Sequence, residues 1–240
     1  SSDTTTATQT FTYDVSNQSF SNKNWTKTGY ILSGWSHDKN ATTKTYDTLS
    51  GVSNSWINNY SPSTDLYAVW KPITYTVKYN GNGATGGSTA SSSHTYDTSK
   101  NLTANGFTKT GYHFIGWSTS ASGNVVYSNQ QSVKNLSTTN GGTVTLYAKW
   151  TAKSVKVTFH RNINSSDTTT ATQTFTYDVS NQSFSNKNWT KTGYILSGWS
   201  HDKNATTKTY DTLSGVSNSW INNYSPSTDL YAVWKPITYT

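Results

Sequence analysis

The segment Ser1–Thr76 recurs without a single change as Ser165–Thr240, an offset of 164 residues. A chain that repeats itself this closely folds as repeating units, and units this small gain stability by packing on their neighbours. A second, weaker repeat lies inside that period. TKTGYILSGWS at Thr26–Ser36 is answered by TKTGYHFIGWS at Thr108–Ser118, and LYAVW at Leu66–Trp70 by LYAKW at Leu146–Trp150. Each period therefore holds two modules of about 80 residues. The boundaries read as 1–72, a module lacking its first strand, then 73–152 and 153–236, two complete modules, and 237–240, where the strand begun by Ile73-Thr-Tyr-Thr starts again. Ends that fall out of phase with the modules predict a window cut from a longer periodic array.

Composition decides what fills such modules. Only 32% of residues are hydrophobic, but 10 are Trp and 17 are Tyr. Each aromatic can bury roughly 150–250 Å², so a few per module can replace many aliphatic residues. All 11 acidic residues are Asp, and the polar positions are mostly Ser, Thr and Asn. These residues compete with helical hydrogen bonds, while β-branched and aromatic residues favour strands, so a mostly β, small α+β fold is expected. The lack of Cys excludes disulfides and thiolate metal sites. No apolar run is long enough to cross a membrane as a helix, so no membrane insertion is expected in this segment. The net charge of +7 is scattered, with no basic run, which argues against a nucleic-acid partner.

Alternation places the strands. Val155, Val157 and Phe159 alternate with Lys156, Thr158 and His160 in an opening strand, and Tyr75, Val77 and Tyr79 do so in the other module type. In the closing strand Leu66, Ala68 and Trp70 share one face, which leaves Tyr67 and Val69 on an outer face where the other type carries Lys149. The strand Tyr30–Trp35 brings Trp35 to the side of Tyr30 and Leu32 only through a bulge at Gly34. Leu49, Val52, Trp56 and Ile57 fit one short helix, and Asn162–Gln173 reads as a long polar loop. The connections Trp70–Ile73 and Trp150–Lys153 are too short to swing freely, and Pro72 stiffens one of them.

The opening strands VKVTFHRN and YTVKYNGNGA, the central TGYxxxGW at Thr28, Thr110 and Thr192, and the closing LYAxW at Leu66, Leu146 and Leu230 together resemble the Listeria-Bacteroides repeat family, the B-repeat of internalin-type surface proteins. The resemblance covers nearly the whole chain. It implies tandem β-grasp, ubiquitin-like modules arranged as a rod. It also implies a secreted protein of the cell surface or cell wall of a bacterium or archaeon, acting as a stalk or adhesive spacer without catalysis. The chain departs from the family in that polar loop and in its lack of Glu.

Candidate chemistry is sparse. Gly81-Asn-Gly-Ala-Thr-Gly86 fits a dinucleotide-binding fingerprint, but the polar stretch after it offers no amphipathic helix, so a hairpin loop is expected. His37-Asp38 lacks a nucleophile at a defined spacing, and the scattered His and Asp suggest no metal site, so no enzyme activity, cofactor or metal is expected. Seven Asn per period, Asn135 among them, begin glycosylation sequons. An isopeptide crosslink would need a buried acid such as Asp97 or Asp14, and bracing a turn after Tyr96 or Tyr13 is the plainer role.

Two function classes remain. One is a semi-rigid stalk or fibre, whose partners are neighbouring modules and other chains in a fibre. The other is a binding module in which Trp25, Trp56 and Tyr67 stack on a host or cell-wall glycan or grip a protein. A variant of the first is a filament subunit completed by strand addition from a neighbouring chain.

Overall fold

The computed structural model describes residues 5–238, so the expected starts and ends at 1–4 and 239–240 lie outside the described residues. Among the described residues the fold is mostly β, with two seven-residue helices at Asn54–Tyr60 and Asn218–Tyr224. It forms two compact units. One comprises Ser1–Asn80, Ala90–Ala104 and Asn129–Leu146 within the described range, and the other Gly81–Thr89, Asn105–Ser128 and Tyr147–Thr240. The middle repeat contributes to both.

The third repeat shows the architecture in full. Its opening strand, Ser154–His160, buries Val155, Val157 and Phe159 and exposes Lys156, as the alternation predicts. It pairs antiparallel with Thr170–Thr176 and parallel with the closing strand Ser227–Pro236, setting Phe159 beside Leu230. The closing strand pairs antiparallel with Tyr194–Ser200, completing a four-stranded mixed sheet. In the first repeat a three-stranded sheet joins Tyr46–Asp47, Tyr30–Ser36 and Tyr67–Pro72. In the middle repeat Thr74–Asn80 pairs with Ser92–Thr95 in one unit, and Tyr112–Ser118 with Tyr147–Ala152 in the other.

The cores are aromatic. Phe159 meets Trp199 and Phe184 edge to face at 4.7 and 5.7 Å, and Phe184 continues the contact to Phe175, Tyr210 and Trp220. Edge-to-face geometry suits the ring quadrupoles. The closing-strand tryptophans add a polar tie, since the indole N–H of Trp234 donates to the Arg161 carbonyl and that of Trp150 to the Gly81 carbonyl. The opening and closing strands are thereby pinned where the first one ends.

The bulge is present in all three repeats. Register shifts occur between Leu32 and Gly34, between Leu196 and Gly198, and opposite Lys149 and Trp150 in the middle repeat. They turn Trp35, Trp199 and Trp117 inward, where all three are buried. At Gly34 a Cβ would lie 2.1 Å from the Tyr46 carbonyl oxygen, so only glycine admits the returning chain.

Three details differ from the sequence reading. Val69 and Val233 are buried, because the loop after the bulge folds back and lays the aliphatic part of Lys44 or Lys208 over the glycine opposite each valine. The helix holds Trp56 and Ile57 but starts after the Ser53 cap, which leaves Leu49 exposed in the preceding turn and Val52 outside it. The stretch Asn162–Gln173 is only partly loop, since its end belongs to Thr170–Thr176.

Asp167 orders the remaining loop. Its carboxylate accepts from Nε and Nη2 of Arg161 at 2.9 and 3.0 Å and from the backbone N–H groups of Ile163 and Thr169. The guanidinium first, and the backbone donors after it, hold this carboxyl well below the usual carboxylate range.

Replacing Trp199 by Ala is expected to cost about 3–5 kcal/mol of unfolding free energy, the usual price of deleting a buried large aromatic, read by chemical denaturation. Asp167 stays ionised in the folded state where an unfolded Asp would already be protonated. Its contribution is therefore complete above about pH 4 and is lost as pH falls below that value. The denaturation midpoint of the native chain should drop more steeply with acidification than that of Asp167→Asn.

Candidate functional site

Where one repeat passes to the next, two module-defining motifs meet. In TKTGY the chain turns tightly, with the Tyr30 N–H donating to the Lys27 carbonyl at 2.9 Å and Gly29 at φ +76°. In TYD of the following repeat, Asp97 takes a left-handed conformation at φ +60°, which Asp tolerates. The Asp97 N–H donates to Asn135 Oδ1, and Asn135 Nδ2 donates back to Asp97 Oδ1 at 2.8 Å. This exchange braces the turn and leaves Oδ2 to accept from the Tyr30 hydroxyl at 2.8 Å.

The fit around that bond is close. Tyr96 seats its ring on Gly29, where a Cβ would fall 2.2 Å from ring carbons. The rings of Tyr30 and Tyr96 meet edge-on at 5.9 Å, and Lys27 Nζ lies 4.0 Å from the Tyr30 centroid. The linker residue Ile73 donates its N–H back to the Gly29 carbonyl and accepts forward from the Tyr96 N–H, at 2.9 and 3.0 Å.

The joint between the second and third repeats repeats this set. The Tyr112 hydroxyl donates to Asp178 Oδ2 at 2.7 Å, Asn218 holds Oδ1 at 2.8 Å, and Tyr177 seats on Gly111. Lys153 donates to the Gly111 carbonyl and accepts from the Tyr177 N–H at 2.8 and 2.9 Å, and Lys109 lies 4.1 Å from the Tyr112 centroid. The Asp hydrogen bonds raise the hydroxyl pKa of Tyr30 and Tyr112, while Asn135 and then Tyr30 lower that of Asp97. These shifts favour a neutral phenol donating to an ionised carboxylate, a charge-assisted bond.

Sequence reasoning saw half of this. It placed Asp97 and Asp14 as turn braces but did not connect the turn to the Gly-Tyr of the preceding repeat. The usable signal was that TKTGY and TYD persist in both module types while the residues directly after each change. Asp97 is exposed, so it is no buried acid for an isopeptide bond, and the Asn135 amide is engaged by Asp97.

The three candidate stacking residues are not gathered in one place. Trp25 is half-buried, edge-on to Trp35 at 5.7 Å, and lines a shallow groove with Asn22, Asn24, Thr26, Leu32 and Thr48. Trp56 is half-buried in the first-repeat core, against Phe11, Phe20, Tyr46 and Tyr60. Tyr67 is 39% exposed, whereas its counterpart Tyr231 is stacked on His160 at 4.5 Å.

The remaining polar motifs have structural work. His37 stacks on Tyr60 at 4.3 Å with its ring nitrogens 3.2 Å from the Tyr46 hydroxyl and the Asp65 carbonyl, while Asp38 accepts from the Asn40 N–H in its own turn. After Gly86 the chain continues into the strands Gly86–Gly87 and Ser92–Thr95 rather than into a helix that could face a pyrophosphate. Among the described residues no cluster of His or Asp suits a metal ion, and no helix is long and apolar enough to cross a membrane.

The family model of the Listeria-Bacteroides repeat domain matches residues 1–69, 75–149 and 156–233, three repeats in tandem. A Gly-rich membrane protein of Evansella cellulosilytica is 28% identical over 222 residues, covering 90% of this chain but 23% of the relative. The chain thus spans less than a quarter of that protein's length.

Gly111 and Gly193 share positive φ angles of +78° and +79°, but a Cβ meets the Tyr177 ring only at Gly111. Alanine at Gly193 should cost about 1–2 kcal/mol from backbone conformation alone, and Gly111→Ala should cost clearly more, as measured by denaturation of the two variants side by side.

Proposed function

We propose a structural, non-catalytic role for this chain, which belongs to the Listeria-Bacteroides repeat domain family: a semi-rigid stalk of an extracellular, cell-surface protein. The observation that carries the reading is the joint. Two successive joints use the same linker hydrogen bonds, the same Tyr-on-Gly seat and the same phenol–carboxylate bond. A joint fixed at several points on both sides of a one-residue connection between strands resists bending, and repeating it extends that stiffness along the polypeptide. The mixed sheet of the third repeat, with its opening strand central and parallel to the closing strand, supports assigning the repeats to the β-grasp class. The relative from Evansella cellulosilytica, named a membrane protein, supports a surface location.

Small-angle scattering of chains with increasing numbers of repeats tests the reading. The maximum dimension should grow almost linearly with repeat number, and Tyr112→Phe combined with Gly111→Ala should broaden the distance distribution. Dimensions that stay globular as repeats are added would overturn it.

A second reading, glycan binding, draws on the groove beside Trp25, where an indole is flanked by Asn and Thr side chains able to hydrogen-bond hydroxyl groups. Trp25→Ala is the informative variant, because Trp56 is part of the core. Glycan-array binding that vanishes in Trp25→Ala while the unfolding midpoint is retained would establish this role, and no binding by the native chain would remove it.

A further inference from the structure

The sheet of the third repeat has an open margin. The strand Thr170–Thr176 is hydrogen-bonded on one side only, to the opening strand. The Arg161 N–H donates to the Thr169 carbonyl and the Tyr177 N–H to the Lys153 carbonyl, both in the register that sets Val157 opposite Gln173. Bonded pairs alternate along antiparallel strands, so the N–H and carbonyl groups of Thr170, Thr172, Thr174 and Thr176 point away from the sheet. At Thr176 both groups are taken by the Gln182 side-chain amide, at 2.8 and 2.7 Å. The outward groups of Thr170, Thr172 and Thr174 have no hydrogen-bond partner among the described residues, and all three residues are exposed.

The middle repeat guards the same position. Ile73 and Lys153 are equivalent linker residues, so Thr76 opposite Ser93 matches Lys156 opposite Thr174. The Ser93 carbonyl accepts from Lys100 Nζ at 2.8 Å. Lysine at a sheet margin is a common guard against pairing between edges. Thr170–Thr176 lacks one: the stretch TATQTFT holds no charge and no proline, and its register runs without a bulge. Ser93 is exposed although another repeat follows it, so the exposure of this margin belongs to the repeat rather than to its place in the chain.

We propose that Thr170–Thr176 pairs antiparallel with the same strand of a second copy of this chain, joining two chains side by side across a two-fold axis at Thr172. The occupant follows from the spacing of the open groups, because the set centred on Thr172 is its own complement. Thr172 faces the partner's Thr172, Thr170 faces the partner's Thr174 and Thr174 faces the partner's Thr170, and each facing pair exchanges both backbone bonds. Every facing side chain is then threonine, a favourable cross-strand pair, and no charge opposes another. The Gln182 brace at Thr176 ends the ladder, and an isologous contact of this kind closes at two copies. This lateral pairing goes beyond the stalk reading, which concerns joints inside one chain.

Sedimentation velocity of the full chain over a wide concentration range tests it. The native chain should pass reversibly from monomer to dimer and stop there. Thr172→Pro removes the central N–H and projects its ring into the contact, while the N–H it replaces makes no bond within the sheet. It should weaken association by about tenfold or more and leave the unfolding midpoint little changed. Thr172→Lys and Thr172→Asp should each stay monomeric, because like charges face each other at the axis. The decisive arm is an equimolar mixture of these two charged variants, which brings opposite charges together at the axis and should recover the dimer. Unfolding midpoints verify that every variant is folded. A native chain that stays monomeric at every concentration, association that grows past the dimer or persists in Thr172→Pro, or a mixture no stronger than its components would overturn the proposal. Tyr112→Phe combined with Gly111→Ala, in an internal joint, should leave the dimer unchanged, so failure of the stalk reading is scored separately.

Discussion

A module of about 80 residues buries roughly 60–65% of its unfolded surface, a thin margin for independent stability. The phenol–carboxylate bond across each repeat boundary is the interaction on which the tandem arrangement rests. It works because the Asp is held before the Tyr arrives: one carboxylate oxygen is fixed by an Asn of its own repeat, and only the other is offered to the neighbour. A carboxylate free to rotate would lose more entropy on pairing, and an isolated exposed ion pair contributes little. Pre-orientation, a seated ring and two linker hydrogen bonds make this joint specific.

The joint also explains why its residue types cannot be traded. Glycine at Gly29 and Gly111 serves two ends, since the left-handed turn favours it and the facing tyrosine ring occupies the space a Cβ would need. Asp at the turn is suited twice as well, tolerating positive φ while supplying two acceptors that point to different partners. Linker side chains, by contrast, differ: Ile73 is buried and Lys153 donates from Nζ to Asn222 Oδ1, while the backbone N–H and carbonyl of both make the same two bonds.

Much of this fold was legible in the sequence. Period-two alternation located the opening strands and their buried faces, and the Gly-Trp pair announced the bulge, because both signals are local. What was missed depends on chain returning from elsewhere. Val69 reads as outward by alternation, yet the loop carrying Lys44 covers it. Leu49 fits a helical period with Trp56, but the Ser53 cap sets the helix start after it. The joint escaped for the same reason: Tyr30 and Asp97 lie 67 residues apart, and nothing local to either reveals the other.

The exact copy Ser1–Thr76 and Ser165–Thr240 gains a physical meaning from the joint. Identical sequence produces the same braced Asp at Asp14 and Asp178, each with one carboxylate oxygen held by an Asn of its own repeat. The two module types differ in their opening strands and loops while keeping Gly-Tyr on one side and Tyr-Asp on the other. Both orders of the two module types therefore use the same contact. A polymer whose joint is independent of which module it connects can change length by duplication or loss of modules without redesigning an interface.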